Sequence, residues 1–501
     1  MAVCRLWYMA IESYPKLWTT FVIPAISPRF FILLLRRSKG APLFVSFREP
    51  ATGDSISRNR ELLIHSLSVK MLRELLTEPE RIEVLLMTFR STVVYNSFAE
   101  QCWHLGPNLR SLSVAIEVFS HSSTSPPSNE LWLRGGRLSG LLELRLSSRE
   151  QPTSMDTIGC ITSLVVLEIL QVGVDMGQVL PCLAGLPSLQ ILRLQSLHSL
   201  LPLPDIDHSP TRALPTAKLR KLQMYYLSCH PHLCTQLTTH LRAPPSLRLT
   251  LDYHTWGEND RDWQDISSAQ MVAPLLPLLR GYNCQDISLP VRALSLDHSP
   301  VPNVVMLSGW TQALPNQPNA SLSRKPRFSV IQPDSRGGLS ALVRELPLED
   351  VEILVVGDLS RELHHHAIPA CVEAWPTRMP RLLELRLTVP HRSIIQYRLI
   401  LEVFRSWFSQ PASIEAGTQT GMPWSSLRRI IIGGVRGSNG ESDWFVRGLQ
   451  EIVDLRAKAG HERQSKVLVR TVRGSPQLPL DDEGSLDSSK VLECRSCRLR
   501  V

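Results

Sequence analysis

Gly185-Leu186-Pro187-Ser188-Leu189-Gln190-Ile191-Leu192-Arg193-Leu194 recurs in close variants from residue 105 to residue 432. Leu192 and Leu194 are two apart, so in an extended strand both side chains point to one face and Arg193 points to the other. Leu189 anchors the turn before the strand, and Pro187 ends whatever helix came earlier. The same L-x-x-L-x-L spacing, other apolar residues allowed, occurs at Leu109/Leu112/Val114, Leu141/Leu144/Leu146, Leu164/Leu167/Ile169 and Leu219/Leu222/Met224. It returns at Val351/Leu354/Val356, Leu382/Leu385/Leu387 and Leu427/Ile430/Ile432.

The first leucines at 109, 141, 164, 189 and 219 lie 32, 23, 25 and 30 residues apart, which brackets the roughly 20–29 residues of a leucine-rich repeat. The period is ragged, and the Asn or Cys of the fuller motif is missing: the ninth position from Leu189 is Leu197 and from Leu219 is Leu227. The expected fold is therefore α/β, an irregular leucine-rich-repeat solenoid of horseshoe form without a named subclass. Length agrees, because 501 residues exceed one compact core and favour an array of stacked layers. A net charge of +8 is modest for this length, and no Lys/Arg stripe is interleaved with aromatics, so nucleic acid is not an expected partner.

Ten cysteines run from Cys4 to Cys497. The first residues have neither a long apolar core nor a small-residue cleavage site, so the expectation is reduced thiols in a cytoplasmic or nuclear protein. Residues 17–35 are strongly apolar, but Pro24, Pro28 and Arg29 interrupt them where a membrane span needs about 20 mostly apolar residues. A buried helix is expected there. A second packed helix is expected over residues 60–76, with Ile64, Leu67, Met71 and Leu75 along one stripe. Leu294/Leu296, Val304 to Leu307 and Phe328 to Ile331 are expected strands, and the polar tail from Gly474 to Val501 is expected to be disordered.

At the N-terminus, Val3, Leu6, Trp7 and Ala10 recur at three- and four-residue steps, and Pro15 follows, which predicts a short buried helix that stops there. Val3, Cys4, Trp7, Ala10, Pro15, Leu17 and Trp18 also match, at its spacing, the V-C-x-x-W, small residue, P-x-L-W pattern that closes an F-box. With Pro28-Arg29 leading a helix to Arg36-Arg37 and the strand-like Leu43 to Phe47, the succession resembles the F-box and leucine-rich-repeat proteins abundant in mushroom-forming fungi. An F-box normally opens with an L-P-x-E-I/L segment and a first helix, and this chain begins downstream of both. The expected organisation is an F-box-like remnant with its linking helix at 1–36, an irregular repeat solenoid at 37–473 and a tail at 474–501.

The chain has no G-x-x-x-x-G-K-[ST], G-x-S-x-G or H-E-x-x-H, the minimal groups for phosphate cradling, serine hydrolysis and zincin chemistry. Gly433 to Gly440 follows a strand but misses the G-x-G-x-x-G spacing, and is expected to be a simple connection. Cys229-His230-Pro231-His232-Leu233-Cys234 offers soft ligands, but zinc usually takes pairs from separated segments. Cys494 and Cys497 form a lone C-x-x-C, and His364 to His366 are expected on a solvated loop. No catalytic residue, metal or cofactor is expected.

What remains is the strand face opposite the leucines, where Ser113, Arg145, Glu168, Arg193, Gln223 and Arg386 are expected to line the concave side that solenoids use for partners. The resemblance to F-box proteins implies a non-catalytic substrate receptor of a cullin-RING ubiquitin ligase. It would dock a Skp-family adaptor through Val3, Cys4, Trp7, Pro15, Leu17 and Trp18 and a protein target through the repeats. The alternative is a repeat scaffold with no ligase association.

Overall fold

The computed structural model describes, with gaps of a few residues inside some spans, residues 4–49, 58–90, 95, 105–117, 138–170, 173–199, 216–253, 268–279, 290–298, 304–311, 326–333, 343–356, 375–388, 401–405, 426–435, 447–454, 466–471 and 489–492. The expectations for residues 364–366, 436–440 and 494–497 lie outside them. The chain divides into two compact units, Met1–Leu247 and Arg248–Val501. It is mixed α/β, with a large, mostly parallel sheet and no closed barrel.

In the first unit the strands of the large sheet are β1 (Thr20–Ile23), β2 (Leu43–Arg48), β3 (Ile82–Phe89), β4 (Ser111–Ile116), β5 (Glu143–Ser148), β6 (Val166–Leu170), β7 (Ile191–Gln195) and β8 (Met224–Ser228). Each pairs in parallel with the next. Because the pairing is in register, the apolar positions fall into continuous rows. One row runs Phe21, Val45, Leu85, Leu112, Leu144, Leu167, Leu192, Tyr225; the next runs Ile23, Phe47, Met87, Val114, Leu146, Ile169, Leu194, Leu227. All are buried, and each such side chain contributes about 1.5–3 kcal/mol when fully removed from water.

The turn into each strand repeats in detail. The N–H groups of Leu109, Leu141, Leu164, Leu189 and Leu222 each donate to the carbonyl three residues back. One carbonyl then accepts from two successive amides of the next turn: Arg110 from Leu142 and Glu143, Leu142 from Val165 and Val166, Val165 from Gln190 and Ile191, and Gln190 from Gln223 and Met224. Gly185 is needed where it stands, since a Cβ there would lie 2.4 Å from the Gly159 carbonyl oxygen of the preceding turn.

The register corrects one repeat frame. Tyr225 and Leu227, not Leu222 and Met224, pair with Leu192 and Leu194, so the unit reads Leu222-x-x-Tyr225-x-Leu227 and Met224 is exposed. Helices α1 (Arg5–Ser13), α2 (Pro28–Ser38) and α3 (Arg58–Leu75) form where the periodicity placed them. Neither α1 nor α2 is a buried helix. Trp7 and Met9 of α1 are 66% and 60% exposed, and α2 buries Phe31 and Leu34 while Phe30 and Ile32 face solvent. In α1 the predicted stripe is itself open to solvent at Trp7, whereas in α2 Phe30 and Ile32 lie off the face that buries Phe31 and Leu34. Three further helices are α4 (Met155–Gly159), α5 (Met176–Ala184) and α6 (Pro231–His240). No helix among the described residues is long and apolar enough to cross a membrane.

In the second unit, β9 (Arg248–Asp252), β10 (Ala293–His298), β11 (Val304–Trp310), β12 (Phe328–Pro333), β13 (Ile353–Val356), β14 (Glu384–Thr388), β15 (Arg429–Val435), β16 (Lys466–Thr471) and β17 (Ser489–Leu492) are joined in the order 9-12-11-10-13-14-15-16-17. The pairs 12-11, 11-10 and 16-17 are antiparallel and the rest parallel. The shared-carbonyl turn returns: Arg292 accepts from Glu352 and Ile353, Glu352 from Leu383 and Glu384, and Leu383 from Arg428 and Arg429. In β10, β11 and β12 side chains of both faces are buried. Ala293 to Leu296 are buried in succession, as are Leu307 to Trp310 and Arg327 to Val330, and Ser308 and Ser329 hydroxyls meet at 3.0 Å.

Candidate partner-binding face

On the side of β2 to β8 away from the apolar rows, the register lines up Ser46, Leu86, Ser113, Arg145, Glu168, Arg193 and Tyr226. Neighbouring strands stand about 4.8 Å apart, so side chains on adjacent strands of this row meet directly. Arg145 Nε and Arg193 Nη1 each lie 3.5 Å from a different oxygen of Glu168. The Arg193 guanidinium sits 5.2 Å from the Tyr226 ring centroid, within cation–π range. Glu168 is only 12% exposed, whereas Arg145 and Arg193 are 49% and 43% exposed. The carboxylate is thus shared by two half-exposed guanidiniums.

Glu143 approaches Arg145 at 4.0 Å and accepts from the Ser111 hydroxyl at 3.1 Å. Beside this charged row on the same face run the buried Val166, the half-buried Ile191 and the exposed Met224. The surface therefore offers guanidinium donors next to an apolar strip.

Gln223 does not join the row. It precedes β8, its amide nitrogen 3.5 Å from the Gln190 side-chain oxygen, and Tyr226 takes the place beside Arg193. Sequence reasoning missed Tyr226 because Leu219 and Leu222 form a competing frame. Arg386 lies in the second unit, paired with Val355 and Ile431, and is mostly enclosed. Its Nε donates to Glu384 at 2.5 Å, and Arg429 Nε approaches the other oxygen of that buried carboxylate at 3.1 Å. Its charge is spent internally.

Of the F-box-like residues, Val3 lies outside the described residues. Cys4 is exposed ahead of α1 without a side-chain cap bond, and Pro15 opens the single 3-10 turn Pro15–Trp18. Trp7 and Leu17 are more than half exposed. Trp18 is tied inward: its Nε1 donates to the Ile11 carbonyl at 2.9 Å, and the Arg37 guanidinium stacks over its ring at 4.6 Å. Arg37 also pairs with Glu12 at 3.0 Å, so α1, the turn and α2 hold one another while Trp7, Met9, Leu17, Phe30 and Ile32 remain exposed.

No family model matches the chain, and no curated protein matches it. Two thiols among the described residues depart clearly from their ordinary pKa, both upward. Burial, with Asp156 nearby, pushes Cys182 up to about 12, and burial raises Cys234. Both shifts suppress the thiolate, the form a cysteine nucleophile needs.

Proposed function

We propose that the chain is a non-catalytic protein-binding subunit, built as an irregular leucine-rich-repeat solenoid, whose target lies across the row Ser113, Arg145, Glu168, Arg193, Tyr226. The row itself carries the reading, because it holds half-exposed guanidiniums and an aromatic on a rigid sheet. Rigid presentation lowers the entropy lost on binding. The matching partner segment carries carboxylates beside apolar side chains, so that it meets both the arginines and the apolar surface of Ile191 and Met224. The shared-carbonyl turn recurring in both units supports the repeat architecture.

By its resemblance to the F-box, the N-terminus makes this subunit the substrate receptor of a cullin-RING ligase. The exposed Trp7, Met9 and Leu17 support a docking role, since large aromatic and apolar side chains left in water mark interaction sites. The experiment is a double dissociation on the tagged full chain. Arg145→Glu with Arg193→Glu should abolish target capture and leave a Skp-family adaptor and cullin bound; Trp7→Ala with Leu17→Ala should do the reverse. Target capture without adaptor or cullin in the unaltered chain would leave the repeat scaffold without ligase association, and unchanged target capture by the arginine pair variant would move the binding site off this face.

A further inference from the structure

Cys229 and Cys234 are both buried, and their sulfurs lie 3.3 Å apart. Cys229 directly follows β8, and Cys234 stands in the first turn of α6, its N–H donating to the His230 carbonyl at 3.0 Å. The two histidines between them are engaged by the helix itself: His230 Nδ1 accepts from the His232 N–H at 3.2 Å, and His232 Nε2 lies 2.9 Å from the Gln236 amide. Among the described residues no three metal-ligating side chains gather, and two sulfurs are half of a tetrahedral zinc set. The pair is therefore better suited to joining its two sulfurs than to holding an ion.

We propose that Cys229 and Cys234 are a reversible dithiol–disulfide couple, oxidised by a small-molecule disulfide to an intrachain bond that joins the end of β8 to the first turn of α6. One cysteine, as thiolate, attacks the S–S bond of the reagent, forming a mixed disulfide and expelling one reagent thiol. The second cysteine loses its proton to solvent, attacks the protein-side sulfur and expels the second reagent thiol. The chain loses two electrons and two protons, and the reagent gains them.

A disulfide is about 2.05 Å long, so the sulfurs must approach by roughly 1.2 Å, a distance that rotation about the Cα–Cβ bonds supplies. Burial makes the reaction slow, because it holds Cys234 as the thiol and admits the reagent only when the β8–α6 connection opens. The same burial shields the bond once formed. Its place matters because β8 carries Tyr226 beneath Arg193, so the bond would fasten one end of the partner-binding row.

Trypsin cuts after Lys221 and Arg242, and the peptide 222–242 contains both cysteines and no other. The native full chain is equilibrated with glutathione disulfide, quenched with iodoacetamide and mapped by mass spectrometry. The expected result is peptide 222–242 lighter by two hydrogens and unalkylated, restored to the doubly alkylated form by reductant, and formed more slowly than the glutathione adduct on exposed Cys160. In Cys229→Ser, Cys234 should appear only alkylated or glutathionylated. Recovery of peptide 222–242 with both cysteines alkylated or separately glutathionylated, from a sample in which Cys160 has reacted, would overturn the proposal.

Discussion

Leu192 and Arg193 are adjacent in the chain and opposite in environment, the first fully buried and the second 43% exposed. Leu192→Asp places a carboxylate in an apolar row, and an uncompensated buried charge costs about 3–5 kcal/mol. In a unit the size of Met1–Leu247 this lowers the melting temperature by roughly 6–20 °C. Arg193→Gln gives up a shared, partly screened ion pair with Glu168, a loss of at most about 1 kcal/mol. Equal melting losses in the two variants, followed by circular dichroism, would show the faces to be assigned the wrong way round. The alternation that separates these residues was legible in the sequence, since it follows from strand geometry alone. Exposure was not: Arg386 occupies the same frame position, yet Glu384 and Arg429 enclose it, and those neighbours come from its own and an adjacent strand by a pairing that no local pattern specifies.

At the scale of the element, the turn decides more than the strand. The L-x-x-L-x-L spacing located β4 to β7, but it misplaced β8 because Leu219 is itself buried and mimics the anchor leucine three residues too early. Tyr225 in a leucine position hid the right frame. What distinguishes the two frames is the hydrogen bonding of the turn, with the Gln190 carbonyl accepting from Gln223 and Met224, and that is invisible in composition. The same dependence on turns predicts the effect of Gly185→Ala. Its Cβ would sit 2.4 Å from the Gly159 carbonyl oxygen and 3.2 Å from that of Cys182, both backbone atoms, so the turns must part. We expect a loss of about 1–3 kcal/mol. Gly40, around which a Cβ meets nothing within 4 Å, is the control: Gly40→Ala should be neutral or stabilising by up to about 1 kcal/mol. Urea midpoints that move alike for both variants would refute the close approach as the reason for a glycine at 185.

Across the whole molecule, the two units share a turn and differ in what their sheets expose. The first keeps a charged and aromatic row open, whereas the second buries Ala293, Ser295, Ser308 and Ser329 on the corresponding strands and neutralises Arg386 within the fold. The proposed partner row lies within residues 1–247. If layers interact mainly with their nearest neighbours, as the recurring turn suggests, stability is roughly a sum over adjacent layers and survives removal of distant ones. The first unit has its own continuous core from Phe21 to Leu227, which is the requirement for independent folding. Residues 1–247 produced alone should unfold in one cooperative urea transition and capture the target in an Arg145- and Arg193-dependent manner, while residues 248–501 should not capture it. A broad, uncooperative loss of ellipticity by the shorter chain would mean that its layers depend on the second unit; a cooperative fold that fails to bind would place part of the binding surface after Leu247.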